Sequence, residues 1–299
     1  MINIIDKRKY FYAFSLTITM ISLIMLIMWG LKLGKDFKGG TRMNVQFSQE
    51  ILDTQKIQES LKELNLQELA IQKSQDNSVA ISYGSSDEAL NNKVRDELKV
   101  LDSNYKELKT EFTGSSVSDQ IKKNAILAVI LANIGIGIFI AWAFRKVSRP
   151  IPSWQYGIGA VVALAHDVLI TTGVFVFLGK FHEVEVGVPF IAALLTILGF
   201  SVHDTIVVYD RIRENLLKSS SKESFEVIVN KSLNETLARS INTSLTVLLV
   251  LSAITLFGGE SIRYFSIALL VGIFFGTYSS IFVASSLLVT SYKMKIKKA

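Results

Sequence analysis

The sequence predicts an α-helical polytopic membrane protein, with six transmembrane helices and a small extracytoplasmic α+β domain between helices 1 and 2. Three observations carry this. Apolar residues make up 49% of the 299 positions and gather in long blocks, with a mean hydropathy of +0.38. A single polar, charged stretch (41–113) interrupts them. Lys and Arg cluster at alternate block ends, the pattern that sets orientation in a bilayer.

The first block, Phe11–Leu31, follows Lys7-Arg8-Lys9. A secretory signal peptide starts this way, but its apolar core is shorter and a small-residue cleavage site follows. Here the run reaches the ~20 residues that cross a bilayer and meets Lys32, Lys35 and Asp36, so it reads as a retained helix. In the polar stretch, Met43, Val45 and Phe47 alternate with polar neighbours as a half-buried strand, and Ile57, Leu61 and Leu64 keep helical spacing. Leu69 and Ile71, a Gln75-Asp76-Asn77 turn, then Val79, Ile81 and Tyr83 read as a hairpin. Ser86 is the expected cap of a helix with Leu90, Val94, Leu98 and Leu101 on its apolar stripe, and Leu108, Thr110 and Phe112 form a last strand. The order β-α-β-β-α-β is the ferredoxin-like, split-βαβ arrangement.

The expected organisation is an N-terminus at 1–9, spans at 10–33, 121–144, 154–178, 186–209, 238–257 and 262–292, the outer domain at 34–120, an amphipathic connection at 210–237, and a tail at 293–299. Lys7 to Lys9, then Arg145, Lys146 and Arg149, then Arg211, Arg213, Lys218, Lys222 and Lys231, then Lys293 to Lys298 all fall on one side. Both termini are therefore expected in the cytoplasm. In the connection, Phe225, Ile228, Val229, Leu233 and Leu237 share one helical face, suited to the membrane surface or to other helices.

The composition excludes several functions. With no cysteine there is no disulfide, thiol nucleophile or thiolate metal site. The net charge of +6 comes from cations flanking apolar blocks, so it is topogenic and gives no sign of nucleic-acid binding. No nucleophile–base constellation appears, and Gly39-Gly40 lacks the Lys-Ser/Thr of a phosphate-binding loop. The expectation is a protein that is not an enzyme, with no catalytic residue, cofactor or metal.

What stands out are ionisable groups inside apolar helices: His166-Asp167 and His203-Asp204, with Arg239 at the mouth of the fifth span. Such groups are costly in a bilayer and mark pairs, watery cavities or proton paths. Asp204 lies ~7 Å inside the cytoplasmic end of its span, a depth that the long Arg239 side chain can reach. Together they form a plausible proton-responsive pair: parting them favours a proton on Asp204, and approach favours its release. A static ion pair locking two helices is the plainer alternative. Asn242, Thr243 and Thr246 extend a polar stripe from Arg239 that can face a helix or a hydrated path. Asp167 can bond Thr171 or extend a relay toward Asp204, and His166 and His203 can titrate or act as ordinary helix contacts. Neighbours on a helix point ~100° apart, which argues against metal chelation by either His-Asp pair.

These same residues carry a resemblance. The stretches 34–41 (GKDFKGGT), 165–171 (AHDVLIT), 199–215 (GFSVHDTIVVYDRIREN) and 234–244 (NETLARSINTS) resemble motifs of the SecF family of bacterial protein-export membrane subunits, within the resistance-nodulation-division superfamily. The likeness covers essentially the whole chain. Lys35 and Lys38, and Ser115 and Ser118, depart from the usual pattern near the domain root and leave the membrane site intact. The resemblance implies an auxiliary subunit of the Sec pathway in the bacterial inner membrane. It would pair with SecD, assist the Sec translocon channel complex, and use the proton-motive force to promote translocation or release of exported, unfolded proteins. Its partners would be SecD, the translocon, the exported chain and membrane lipid, with no nucleic acid. It further implies that Asp204 and Arg239, with Asp167, couple protons, and that Asp36, Gly39 and Gly40 form a family motif. The alternatives are a proton-coupled exporter of small molecules or lipids, for which the outer module is small, and a non-conducting translocon scaffold.

Overall fold

The computed structural model describes residues 2–48, 54–73, 77–85, 87–145, 150–219 and 223–298. Gln75 and Asp76 of the expected turn, the expected cap Ser86, and Lys146, Arg149 and Lys222 lie outside them. Among the described residues, six helices are long and apolar enough to cross a membrane. They comprise α1 (Arg8–Trp29), α5 (Ser115–Ala143), α6 (Ser153–Phe181), α7 (Val188–Lys218), α8 (Phe225–Phe257), and a last helix built from α9 (Glu260–Ser279), a π-helical segment (Ser280–Ala284) and α10 (Ser285–Lys298).

Between α1 and α5 lie α2 (Lys35–Lys38), β1 (Gly40–Gln46), α3 (Thr54–Ser60) with a 3₁₀ turn, β2 (Ala70–Lys73), β3 (Ser78–Tyr83), α4 (Glu88–Leu101) and β4 (Lys106–Thr113). The strands form one antiparallel sheet in the order β2-β3-β1-β4, with Met43 opposite Ile81 and a register shift at Asn44/Val45 against β4. Alternation sends Met43, Val45, Phe47, Val79, Ile81 and Tyr83 to one face, where Ile57, Leu61, Val94 and Leu98 close the core. Asp87 caps α4 by accepting the Ala89 N–H at 3.1 Å. On the edge strand β4, Leu108 and Phe112 stay about half exposed, and the register shift leaves Leu108 lining the opposite face of the sheet. The opposite sheet face, with Arg42, Asn44 and Gln72, lines a cavity of about 880 Å³ between the sheet, the 182–187 loop and the adjoining ends of the helices.

Small residues set the spacing of the membrane helices. A β-carbon at Gly157 of α6 would stand 2.5 Å from the Gly137 carbonyl of α5, and one at Gly173 would stand 2.8 Å from the Ser22 Cα of α1. In one half of the bundle, Tyr156, Tyr209 and Phe144 pack ring to ring at 5.2 to 5.9 Å. Phe225, Val229 and Leu233 are buried with them and Ile228 is buried beside them in sequence, so the apolar face of the 210–237 segment packs on helices. Helices α7 and α8 continue far into that segment, which leaves only residues 219–224 between them.

The small α+β domain has two features that can be tested. Within its core, Asn91 Oδ1 accepts hydrogen bonds from Tyr83 Oη (2.5 Å) and Thr41 Oγ1 (3.1 Å), and burial pushes the Tyr83 phenol up to about 12, so it stays a donor. Asn91→Ala strands that donor and should cost about 1–3 kcal/mol, read as faster hydrogen exchange in β1 and β3 of the full chain. The second concerns acid. Hydrogen bonding from Arg95 holds Glu107 below its usual range, and the Ser48 amide and hydroxyl do the same for Asp102. A depressed carboxylate stabilises the fold above its unfolded value and loses that contribution as pH falls through the folded one. The domain should therefore loosen below pH ~4, and Arg95→Ala with Asp102→Asn should flatten the acid limb of its exchange profile.

Candidate functional site

Two carboxylates lie inside the bundle, in different surroundings. Asp167 of α6 is wholly buried, with 0% exposure. Ser201 Oγ of α7 and Ser279 Oγ of α9 donate to its Oδ2 at 2.6 and 2.8 Å, and His166 Nδ1 lies 2.9 Å from Oδ1. Adjacent residues thus meet here, despite the angle between their side chains along the helix. Three helices converge on this carboxylate, and they can do so because Gly276 opposes it: a β-carbon there would lie 3.0 Å from Ser201 Cβ and 3.5 Å from Asp167 Oδ2. Thr171, expected as a partner, bonds the Asp167 backbone carbonyl instead (2.8 Å), the usual i−4 back-bond of a helical Thr.

The π-helical segment begins at Ser280, directly after the Asp167 donor Ser279. Such single-turn bulges are frequent at functional sites. Ser285 Oγ donates to the Ser280 carbonyl at 3.1 Å, and Tyr209 Oη donates to the Ala284 carbonyl at 3.3 Å, so the loosened backbone is satisfied from its own helix and from α7. His166 stacks near Tyr278 with ring centroids 6.3 Å apart, and its buried Nε2 has no partner.

Asp204 lies three residues beyond Ser201 on α7 and is 4% exposed. The Ser240 and Thr277 hydroxyls face it, yet its Oδ2 and the Ser240 Oγ are both buried without a hydrogen bond. Asp204 and Arg239 are apart in this structure: among the described residues, no carboxylate pairs with Arg239, so the static ion pair is not formed. The reason is rotational. Ser240 occupies the inward position of α8, and its neighbour Arg239 points ~100° away, outward, beside a cavity of about 550 Å³ with Asp210, Glu214 and Glu235. The expected stripe of Asn242, Thr243 and Thr246 also faces outward, with Thr246 Oγ1 bonded to the Thr243 carbonyl at 2.7 Å. His203 is exposed as well, beside Asp204 in sequence.

The inner polar stripe of α8 is one that sequence reasoning missed: Ser232, Thr236, Ser240 and Ser244, four residues apart and all buried. Ser244 Oγ meets Thr277 Oγ1 of α9 at 2.5 Å. The strict i+4 repeat of hydroxyl residues was the available signal. Ser201 and Ser279 were missed too. Among the described residues, no group of three or more His, Asp or Glu side chains converges as a metal site.

The family motif after α1 has a structural place. Gly39 and Gly40 take positive φ values of 82° and 115° where α2 turns into β1. A β-carbon at Gly40 would stand 2.2 Å from the Tyr83 carbonyl, so only glycine lets the central strand start there. Asp36 leaves its own element and reaches the start of α7, where its Oδ2 accepts the Val188 N–H at 2.8 Å.

Comparison with known proteins agrees with this architecture. The family described as protein export membrane protein SecD/SecF, C-terminal, matches residues 93–294. The protein translocase subunit SecF of Thermobaculum terrenum is 45% identical over 97% of this chain and 94% of its own length. That of Haemophilus influenzae is 36% identical over 93% and 82%. Among solved structures, SecDF from Thermus thermophilus, a translocon-associated membrane protein, superposes with a TM-score of 0.81 at 32% identity. The match covers 97% of this chain and 38% of that longer one. SecDF in a super-membrane-facing form gives a TM-score of 0.69 at 29% identity over 99% of this chain and 39% of that one. With a family match over most of its length and near-full-length relatives, this chain belongs to the SecF branch of the SecD/SecF protein-export family.

Proposed function

We propose that this chain is a proton-coupled auxiliary subunit of the Sec machinery, working with SecD to promote translocation or release of exported proteins. The observation that carries the reading is Asp204. It is buried in a membrane-length helix with one carboxylate oxygen unpartnered, while the cation that matches it in depth, Arg239, sits on the next helix and faces away. A carboxylate in such surroundings is ionised beside a cation or carries a proton without one. Rotation of α8 that replaces Ser240 by Arg239 opposite Asp204 would expel the proton, and the return would admit one. Proton occupancy and helix position then change together.

Asp167 forms the second station. Ser201 bonds it and lies one turn from Asp204 on the same helix, so the two carboxylates share one polar seam. The outward face of His203, Arg239, Asn242, Thr243 and Thr246 is the face we assign to SecD, since polar groups at membrane depth need a protein partner. Cation placement supports cytoplasmic termini in the inner membrane, and with them an extracytoplasmic ferredoxin-like domain where exported chains emerge. No covalent chemistry is assigned to any residue.

The test is preprotein release at the outer face, with and without a proton gradient, using wild type and Asp204→Asn assembled with SecD. The variant is isosteric and should assemble normally, with release falling to the level seen without a gradient. If the assembled variant keeps full gradient dependence, the carboxylate is structural and the scaffold reading replaces this one.

A further inference from the structure

The bond from Val188 to Asp36 joins the root of the outer domain to the helix that carries Asp204. At the start of α7, Pro189 has no N–H and the Phe190 N–H donates to the Gly187 carbonyl at 3.0 Å, which leaves the Val188 N–H without an acceptor inside the helix. The acceptor comes instead from Asp36, 152 residues away in sequence. Gly187 has extended backbone angles (φ −121°, ψ −168°) that any residue adopts, so glycine is not required there by conformation. It is required by space: a β-carbon at Gly187 would stand 2.5 Å from Asp36 Oδ2. The helix has given up a local cap in favour of a remote one.

Other bonds hold the same two segments together. The Gly34 N–H donates to the Val186 carbonyl, and the Val186 N–H donates to the Lys32 carbonyl, each at 2.9 Å, in a short parallel bridge between Leu33 and Val186. Lys32 pairs with Glu183 of the same loop. On the domain side, Asp36 sits in α2, four residues before Gly40 opens the central strand β1. On the membrane side, Val188 and Asp204 are 16 residues apart on one unbroken helix, ~24 Å along its axis. A tilt of the sheet thus reaches the loop before α7 through the backbone bridge, the Lys32–Glu183 pair and the Gln72 amide on the Glu183 carbonyl, and reaches the helix itself through Asp36.

We propose that Asp36 is a positioning residue: the joint through which movement of the outer domain and movement of α7 are coupled, beyond its effect as a helix cap. This rests on the reading of Asp204 given above. The outer domain then does more than ride on the bundle. It biases the axial position of α7, and a change at Asp204 is returned to the domain by the same route.

The chain has no cysteine, so spin labels can be placed at Val100→Cys on α4, where Val100 is 81% exposed, and at Ala192→Cys on the first turns of α7. Three variants are compared with wild type in the full chain with its partner subunit in bilayers: Asp36→Ala, Asp36→Asn, and Asp36→Ala combined with Gly187→Ser. The last places a hydroxyl in the space that Asp36 vacates, where it can cap the Phe190 N–H, since Pro189 has none. Hydrogen exchange of the first turn of α7 reads capping, and the label distance distribution reads the joint. Asp36→Ala should exchange about fivefold faster, the scale of a lost cap, and should broaden the distance distribution. Gly187→Ser should return the exchange of the Phe190 and Ile191 amides to wild type and leave the distances broad, while Asp36→Asn, still an acceptor, keeps both. The proposal is overturned if distances in Asp36→Ala stay as narrow as in wild type, or if Gly187→Ser restores them, since Asp36 is then a cap only. Distances are read without any translocation assay, so loss of the proton-coupling reading would leave this result standing.

Discussion

Asp167 sits where α6, α7 and α9 meet, with no water-accessible surface and two serine hydroxyls from neighbouring helices on one oxygen. In hydrocarbon an unsatisfied carboxylate is prohibitive, so those donors must be present, and their presence dictates much else. Ser201 fixes the rotation of α7, which places Asp204 one turn further along the same inward face. Ser279 fixes the rotation of α9, and the π-helical segment begins at the next residue. Gly276 must lack a side chain so that α9 comes close enough for its serine to reach. The geometry around Asp204 follows from the bonds of Asp167.

Against that seam, α8 is held differently along its length. Near its start Ser232 and Glu235 meet Asn215 and Arg211 of α7, further on Ser244 meets Thr277 of α9, and between them Arg239 points out of the bundle. Neutral hydroxyl contacts are each worth about 0.5–1.5 kcal/mol, a small barrier to rearrangement compared with a buried ion pair, whose breaking costs about 3–5 kcal/mol. Beside Asp204, α8 therefore presents a neutral hydroxyl, Ser240, where an ion pair with Arg239 would hold it more firmly. At the opposite end, α7 is held by Asp36, so the seam connects outward to the domain as well.

How much of this the sequence reveals depends on the range of each interaction. Asp167, Asp204 and Arg239 stand out because charge inside an apolar run is rare, and the alternation of Met43, Val45 and Phe47 announces β1 because the period of a strand is local. The spans are legible for the same reason. The pairing of Asp204 with Arg239 rested on depth alone, and depth does not determine which way a helix is rotated. One residue along α8, Ser240 takes the inward place, and the stripe expected from Asn242, Thr243 and Thr246 turns outward with Arg239. Ser201 and Ser279 carry no signal of their own, since serine is common in packed membrane helices. Asp36 was visible as a motif, but its partner lies 152 residues away, and only the uncapped Gly187-Val188-Pro189 helix start hints that something must come from elsewhere.

The central claim is that Asp204 changes its proton occupancy as the complex works. Isotope-edited infrared difference spectra, recorded on the complex in vesicles as the proton gradient is imposed and collapsed, read carboxyl protonation directly. The account predicts a carboxyl band that appears and disappears with the gradient in wild type and is absent from Asp204→Asn. A spectrum that does not change with the gradient, or one whose change survives in Asp204→Asn, would contradict it.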